Sequence, residues 1–288
     1  KLKKVDMVQK DIVQLYMATG GVPFYLNDIE RGESVPQIIE RLFFTKTATL
    51  KNEFDNLYAA LFKNSGDHIA IIKALATKNK GLTRNEIIKH TNLASGGGLT
   101  TTIQELISCG FIIPIYPINK TKEDILYRLL DEYSIFYLRF LADGKGNVRW
   151  LNMFNTNPYK VWCGFAFENI CLRHTESIKK ALGITGIQTS EYSWQHKGAN
   201  KTGGAQIDLL IDRNDNCINL CEVKFVNVHF EVTKQYADIL LQKQLKFATQ
   251  TKTKKNIFIT LITPNGCARN KYYNSIVTNQ LTAADLFA

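Results

Sequence analysis

Apolar residues recur at helical spacing from Val5 to Met17 and again from Val35 to Thr45, with Gly20-Gly21-Val22-Pro23 as the break between the two runs. A third helix is predicted over Asn52–Phe62, with Phe54, Leu57, Tyr58 and Leu61 on one face. The rhythm then changes. Helices are predicted over Asp67–Thr77, Thr83–His90 and Thr100–Cys109, the middle one opened by a Thr83/Glu86 capping box. The turn Ser95-Gly96-Gly97-Gly98 leads into the last of these. Two apolar runs, Phe111–Tyr116 and Ile125–Leu130, flank the polar stretch Asn119–Asp124 and read as a hairpin. Helix, helix, turn, helix, hairpin is the order of a winged helix, a variant of the helix-turn-helix.

The mostly polar segment 143–160 predicts a boundary. Beyond it come a helix carrying Phe165, Phe167, Ile170 and Leu172, then Gly-punctuated loops. Two strands follow, Ile207–Ile211 and Cys217–Phe225, joined by the turn Asp212–Asn216. A long helix at about Thr233–Thr249 leads to an apolar strand at Ile257–Ile262, an α/β arrangement. The 288 residues therefore divide into three expected blocks: an all-α segment over 1–62, a winged helix over 63–145, and an α/β domain over 150–288.

Composition narrows the class. With 45% hydrophobic and 22% charged residues the chain is ordinary globular protein. No apolar run approaches the roughly 20 residues that cross a bilayer. No apolar segment follows Lys1-Leu2-Lys3-Lys4 to make a secretion signal. The six cysteines contain no CxxC pair, which argues against a zinc ribbon and a disulfide framework and for a reducing, cytoplasmic setting. A net charge of +10 favours an anionic partner, nucleic acid being the commonest, although a generally basic surface reads equally well.

The chemistry concentrates late in the chain. In a strand, residues i and i+2 share a face, so Glu222 and Lys224 point together while Val223 packs behind them. If the two strands pair across the 212–216 turn, Asp208 comes close to Glu222. Two carboxylates on neighbouring strands suit magnesium, with waters completing its octahedron, and Lys224 would stabilise developing negative charge. A bare ExK is common, and two ordinary strands with a solvent-facing Glu/Lys pair read as well from that alone. Three features add weight: the flanking apolar runs, Glu168 inside the apolar helix Gly164–Ile170, and the small Gly203-Gly204-Ala205 ahead of Asp208.

In this order and spacing, Glu168, Asp208, Glu222 and Lys224 resemble the PD-(D/E)xK signature of restriction-endonuclease-like nucleases. The resemblance implies Mg²⁺ (or Mn²⁺) held by Asp208 and Glu222, Glu168 as an accessory ligand, and Lys224 as catalytic base or transition-state stabiliser. The wider chain, through Gly20–Leu26, Tyr127–Asp131, Tyr133–Phe140 and Phe258–Thr263, resembles the C-terminal portion of archaeal-type prokaryotic P-loop (AAA-like) ATPases. Those proteins run from an ATPase core into a helical lid, a winged helix and a nuclease-like end domain. No GxxxxGK[ST] occurs here, so ATP binding is expected only in a core outside these residues.

The predicted recognition helix carries Thr100, Thr101, Thr102 and Gln104 but no Arg or Lys, which favours a structural or protein-docking winged helix over a DNA reader. Lys234, Lys243 and Lys246 on the long helix are the candidate phosphate contacts, Lys243 above all because its helix should pack near Glu222. His174, His196 and His229 form no spaced ligand set. The expectation is magnesium-dependent hydrolysis of DNA phosphodiesters, with a non-catalytic DNA-binding or regulatory module as the alternative. DNA is the expected partner, together with a homo-oligomer or another protein docked through the winged helix.

Overall fold

The computed structural model describes residues 7–118, 122–142, 149–196, 198 and 203–287. Residues 1–6, where the first expected helix began, the polar stretch 119–121, the expected boundary residues 143–148, and residues 197, 199–202 and 288 fall outside them. The chain is mixed α/β and forms two compact units, Lys1–Pro114 with Ile125–Ala166 and Ile115–Asp124 with Phe167–Ala288.

The first unit carries α1 (Gln9–Thr19), α2 (Pro23–Leu26), α3 (Val35–Ile39), α4 (Glu53–Leu61), α5 (Ser65–Ala76), α6 (Arg84–Thr91), α7 (Gly97–Ser108), α8 (Glu132–Phe140) and α9 (Trp150–Met153). Gly20 closes α1 in the left-handed conformation, and Pro23 opens α2 at a position that needs no N–H. The helix expected over 35–45 is α3 continued by a π-helical turn, Glu40–Phe44. On α4, Phe54 and Tyr58 are buried, whereas Leu61 at its last position is 50% exposed. Thr83 and Glu86 make the expected capping box on α6.

Helix α7 starts at Gly97, inside the stretch expected to be a turn. The Thr100, Thr101 and Thr102 hydroxyls donate to the carbonyls of Gly96, Gly97 and Gly98, one turn back. Strands β1 (Leu82–Thr83), β2 (Ile112–Ile115) and β3 (Leu126–Leu129) form a sheet in the order β1-β3-β2. Helix α8 ties this block to the N-terminal helices. Tyr133 Oη donates to Leu50 O at 3.0 Å, Ser134 meets Tyr58 Oη at 2.9 Å, and Phe136 packs on Phe43 and Phe44.

The unit boundary falls within α10 (Asn157–Arg173), which is followed by α11 (Thr175–Ala181). The second unit is built on a five-stranded mixed sheet from β4 (Thr189–His196), β5 (Ala205–Arg213), β6 (Cys217–Val223), β8 (Asn256–Ile262) and β10 (Asn279–Leu281), in the order β10-β8-β6-β5-β4. Strands β4, β5 and β6 pair antiparallel, while β6, β8 and β10 run parallel. The crossover from β6 to β8 contains α12 (Lys234–Thr251), as a parallel pair requires. A short pair, β7 (Phe230–Glu231) with β9 (Cys267–Ala268), and helices α13 (Lys271–Ile276) and α14 (Ala283–Leu286) complete the unit.

One sheet face packs Ile218 and Leu220 of β6 and Ile259 and Leu261 of β8 against Ala237, Leu240 and Phe247 of α12. Residues of opposite parity on β6 point the other way, where Cys221 lies near Cys171 of α10 and Phe225 meets Phe167. Among the described residues, no helix is long and apolar enough to cross a membrane.

Candidate functional site

The last residue of β6 on its α12-facing apolar stripe is charged. Ile218, Leu220 and Glu222 share the face covered by α12, and Glu222 is only 6% exposed. A buried carboxylate loses several kcal/mol of hydration, so it persists as an anion only with close partners. Lys243 Nζ donates to Oε2 at 2.7 Å, and Lys224 Nζ lies 3.1 Å from Oε1. Tyr236 Oη also donates to Oε1, at 3.1 Å. Burial pushes the Glu222 carboxyl upward, but the charges and hydrogen bonds of Lys243 and Lys224 outweigh it and hold the group below the usual carboxylate range. Tyr236 moves the opposite way, raised by burial and then by the Glu222 charge.

Local folding explains this convergence. Beyond the end of β6, Lys224 N still donates to Ile262 O at 2.9 Å, so the extended line continues and keeps Glu222 and Lys224 on one face. Thr233 caps α12 by accepting from Tyr236 N. The helix then presents Tyr236, Leu240, Lys243 and Phe247, spaced i, i+4, i+7 and i+11, toward the sheet. Lys224 Nζ also lies 5.5 Å from the Tyr236 ring centroid. Its side chain remains 39% exposed, against 22% for Lys243.

Asp208 lies on the neighbouring strand. The register Leu209↔Cys221 makes Asp208 and Glu222 the next residues along the two strands. Between the pairs Tyr192↔Leu210 and Trp194↔Ile207, β5 takes one more residue than β4, a bulge at Asp208–Leu209. Ile207 and Leu210 consequently both enter the α12-side core, which strict alternation forbids. Asp208 is half-buried and accepts from Gln206 Nε2. That hydrogen bond comes from its own strand, and the cluster around Glu222 is built from Lys224, Tyr236 and Lys243.

Glu168 is half-buried on α10. Its charge helps raise the Cys171 thiol, after burial and Cys221, which places it over the sheet face opposite Tyr236 and Lys243. Among the described residues, no three His, Cys, Asp or Glu side chains gather as a ligand set. Asp208, expected beside Glu222, instead follows Ile207 of the α12-side core and pairs with Gln206 two residues back, so strand alternation turns it to the face away from Tyr236 and Lys243.

The other candidate lysines are placed differently. Lys234 is exposed at the start of α12, and Lys246 donates to Gly203 O at 2.6 Å. Lys243 is drawn inward to Glu222. Its place in an otherwise apolar helix stripe was the sequence signal for that role; Tyr236, as one more aromatic on the stripe, gave none. No protein-family model and no curated protein matches the chain.

Proposed function

We propose that the second unit is a PD-(D/E)xK-type nuclease domain that hydrolyses DNA phosphodiesters with Mg²⁺ or Mn²⁺. One observation carries the reading: a buried, ionised Glu222 shares its strand face with Lys224, and Asp208 occupies the adjacent position on the next strand beside a bulge. Bulges recur next to active sites because they re-aim a side chain. Asp208 and Glu222 would hold the ion. When bound, a divalent ion activates water and offsets phosphoryl charge. Lys224, the more exposed ammonium, reaches outward to donate to a phosphoryl oxygen as negative charge develops there. Tyr236 and the strand backbone fix Glu222 in one orientation.

The order of elements in the first unit supports its reading as a helical lid followed by a winged helix, as in AAA-like ATPases. The threonine hydroxyls of α7 are engaged with their own helix, which favours docking of a protein over reading of bases. A second reading of the nuclease-type site is a non-catalytic DNA-binding module. It is favoured by the two ammonium groups that already match the Glu222 charge.

Plasmid incubated with the protein and Mn²⁺ separates the readings. Cleavage lost in both Asp208→Ala and Lys224→Ala supports hydrolysis at this site, and cleavage that survives both substitutions removes it. No cleavage, with salt-dependent DNA binding, establishes the second reading.

A further inference from the structure

We propose that the groove between α4, α5 and α8 is a binding site for a free amino acid with an apolar side chain. The inference concerns the first unit alone and is independent of the nuclease reading. A cavity of about 430 Å³ opens there. It is lined by Phe54 and Asp55 of α4, by Lys73 and Ala76 of α5 with Thr77 just beyond, and by Tyr137, Leu138 and Ala142 along and after α8. The volume lies at the lower end of the roughly 300–1,000 Å³ that small-molecule sites span, which suits a compact ligand.

Helix periodicity explains why the space exists. Ile71, Ile72 and Leu75 of α5 and Tyr133, Phe136 and Phe140 of α8 are buried in the core. The remaining faces carry Lys73, Ala76 and Thr77 at i, i+3 and i+4, and Leu138 and Ala142 at i and i+4. Ala76 and Ala142 bring only a methyl group each to the gap between the helices. One wall is firmly packed, since Phe54 is 1% exposed and stacks on Tyr137 with centroids 4.6 Å apart and planes at 8°.

The lining selects the ligand. Phe54, Tyr137, Leu138, Ala76 and Ala142 offer apolar surface. Asp55 and Lys73 add one charge of each sign, and among the described residues neither has an ion pair or hydrogen bond within the chain. Thr77 Oγ1 donates its proton to Ala74 O at 2.7 Å, so its oxygen is left to accept. A carboxylate and a hydroxyl oxygen suit an ammonium group, and the Lys73 ammonium suits a carboxylate. An amino-acid zwitterion matches both, with its side chain against the apolar wall. A simple anion would meet Asp55, and a purely apolar molecule would leave both charges unmatched.

Equilibrium dialysis of the full chain with radiolabelled L-phenylalanine, and competition by its analogues, tests the assignment. L-phenylalanine should bind saturably. Phenylalaninamide, which lacks the carboxylate, N-acetylphenylalanine, which lacks the ammonium, and glycine, which lacks the side chain, should each compete at least about tenfold less well. Asp55→Asn and Lys73→Gln should each weaken L-phenylalanine about tenfold. In Asp55→Asn, N-acetylphenylalanine should compete as well as L-phenylalanine, and in Lys73→Gln phenylalaninamide should do so. Ala76→Leu and Ala142→Leu fill the cavity and should abolish binding. No saturable binding to wild type overturns the proposal, and so does binding that both charge variants leave unchanged. Analogues that compete as well as L-phenylalanine in wild type overturn it too. Asp55 and Lys73 are exposed, so their variants keep the test decisive even where a cavity-filling variant fails to fold.

Discussion

Replacing Lys243 by methionine keeps the length of the stem on α12 and removes the charge that sits 2.7 Å from Glu222 Oε2. Removing one partner of a fully buried ion pair costs about 3–5 kcal/mol. Here Lys224 and Tyr236 remain on Oε1 and Lys243 is 22% exposed, so about 2–3 kcal/mol is expected at pH 7. The pH dependence carries the sharper information. In wild type the folded Glu222 pKa is depressed, so its stabilisation is complete above the unfolded value of about 4.3 and is lost as pH falls through the folded value. In Lys243→Met, burial is opposed by one ammonium fewer, and the Glu222 pKa rises. The uncompensated charge is then removed by protonation, and the deficit of the variant should shrink to under about 1 kcal/mol near pH 4. Urea unfolding of both proteins in EDTA at pH 7 and pH 4 reads the two differences directly. A deficit of the same size at both pH values would refute the electrostatic account and assign the loss to packing. Glu222→Gln combined with Lys243→Met should be less damaging than the two single losses summed, by about 1–2 kcal/mol.

Other regions give independent checks. Phe247→Ala, at a fully buried α12 position facing the sheet, should cost about 3–5 kcal/mol in urea unfolding. Thr83→Ala removes the cap of α6 and should cost about 1 kcal/mol. Glu86, held below its ordinary range by Lys78 and by the Thr83 backbone N–H, should contribute stability above about pH 4.3 and lose it as the pH falls further, an effect that Lys78→Met should reduce. Gly81→Ala should destabilise by more than about 1 kcal/mol, because φ is +91° and a Cβ would stand 2.5 Å from Tyr127 O. In native protein a thiol reagent should label Cys109 first, with Cys171 and Cys221 reacting only on unfolding. Both are fully buried, and burial pushes the Cys221 thiol up to about 12.

What the sequence made legible follows from local physics. The strands at 207–211, 217–225 and 257–262 stood out as short apolar runs between turn residues, and they form β5, β6 and β8 with ends shifted by a few positions. The Thr83/Glu86 box and the Thr233 start of α12 were readable because caps are local chemistry. The start of α7 was not, since three consecutive glycines read as a turn, yet Gly97 and Gly98 lie inside the helix. At the site, strand alternation put Glu222 and Lys224 on one face, and helix packing singled out Lys243. The bulge at Asp208–Leu209 had no sequence signal, because it is defined by the partner strand β4 and not by the residues that bulge. Tyr236 was hidden for a related reason: a helix-facing aromatic reads as core until the opposing strand is known to present a carboxylate.

Anomalous diffraction from crystals soaked in Mn²⁺ with a short DNA duplex tests the central claim most directly. The account predicts one peak about 2.1 Å from a carboxylate oxygen of both Asp208 and Glu222. Saturating Mn²⁺ with no peak between the two acids would contradict it.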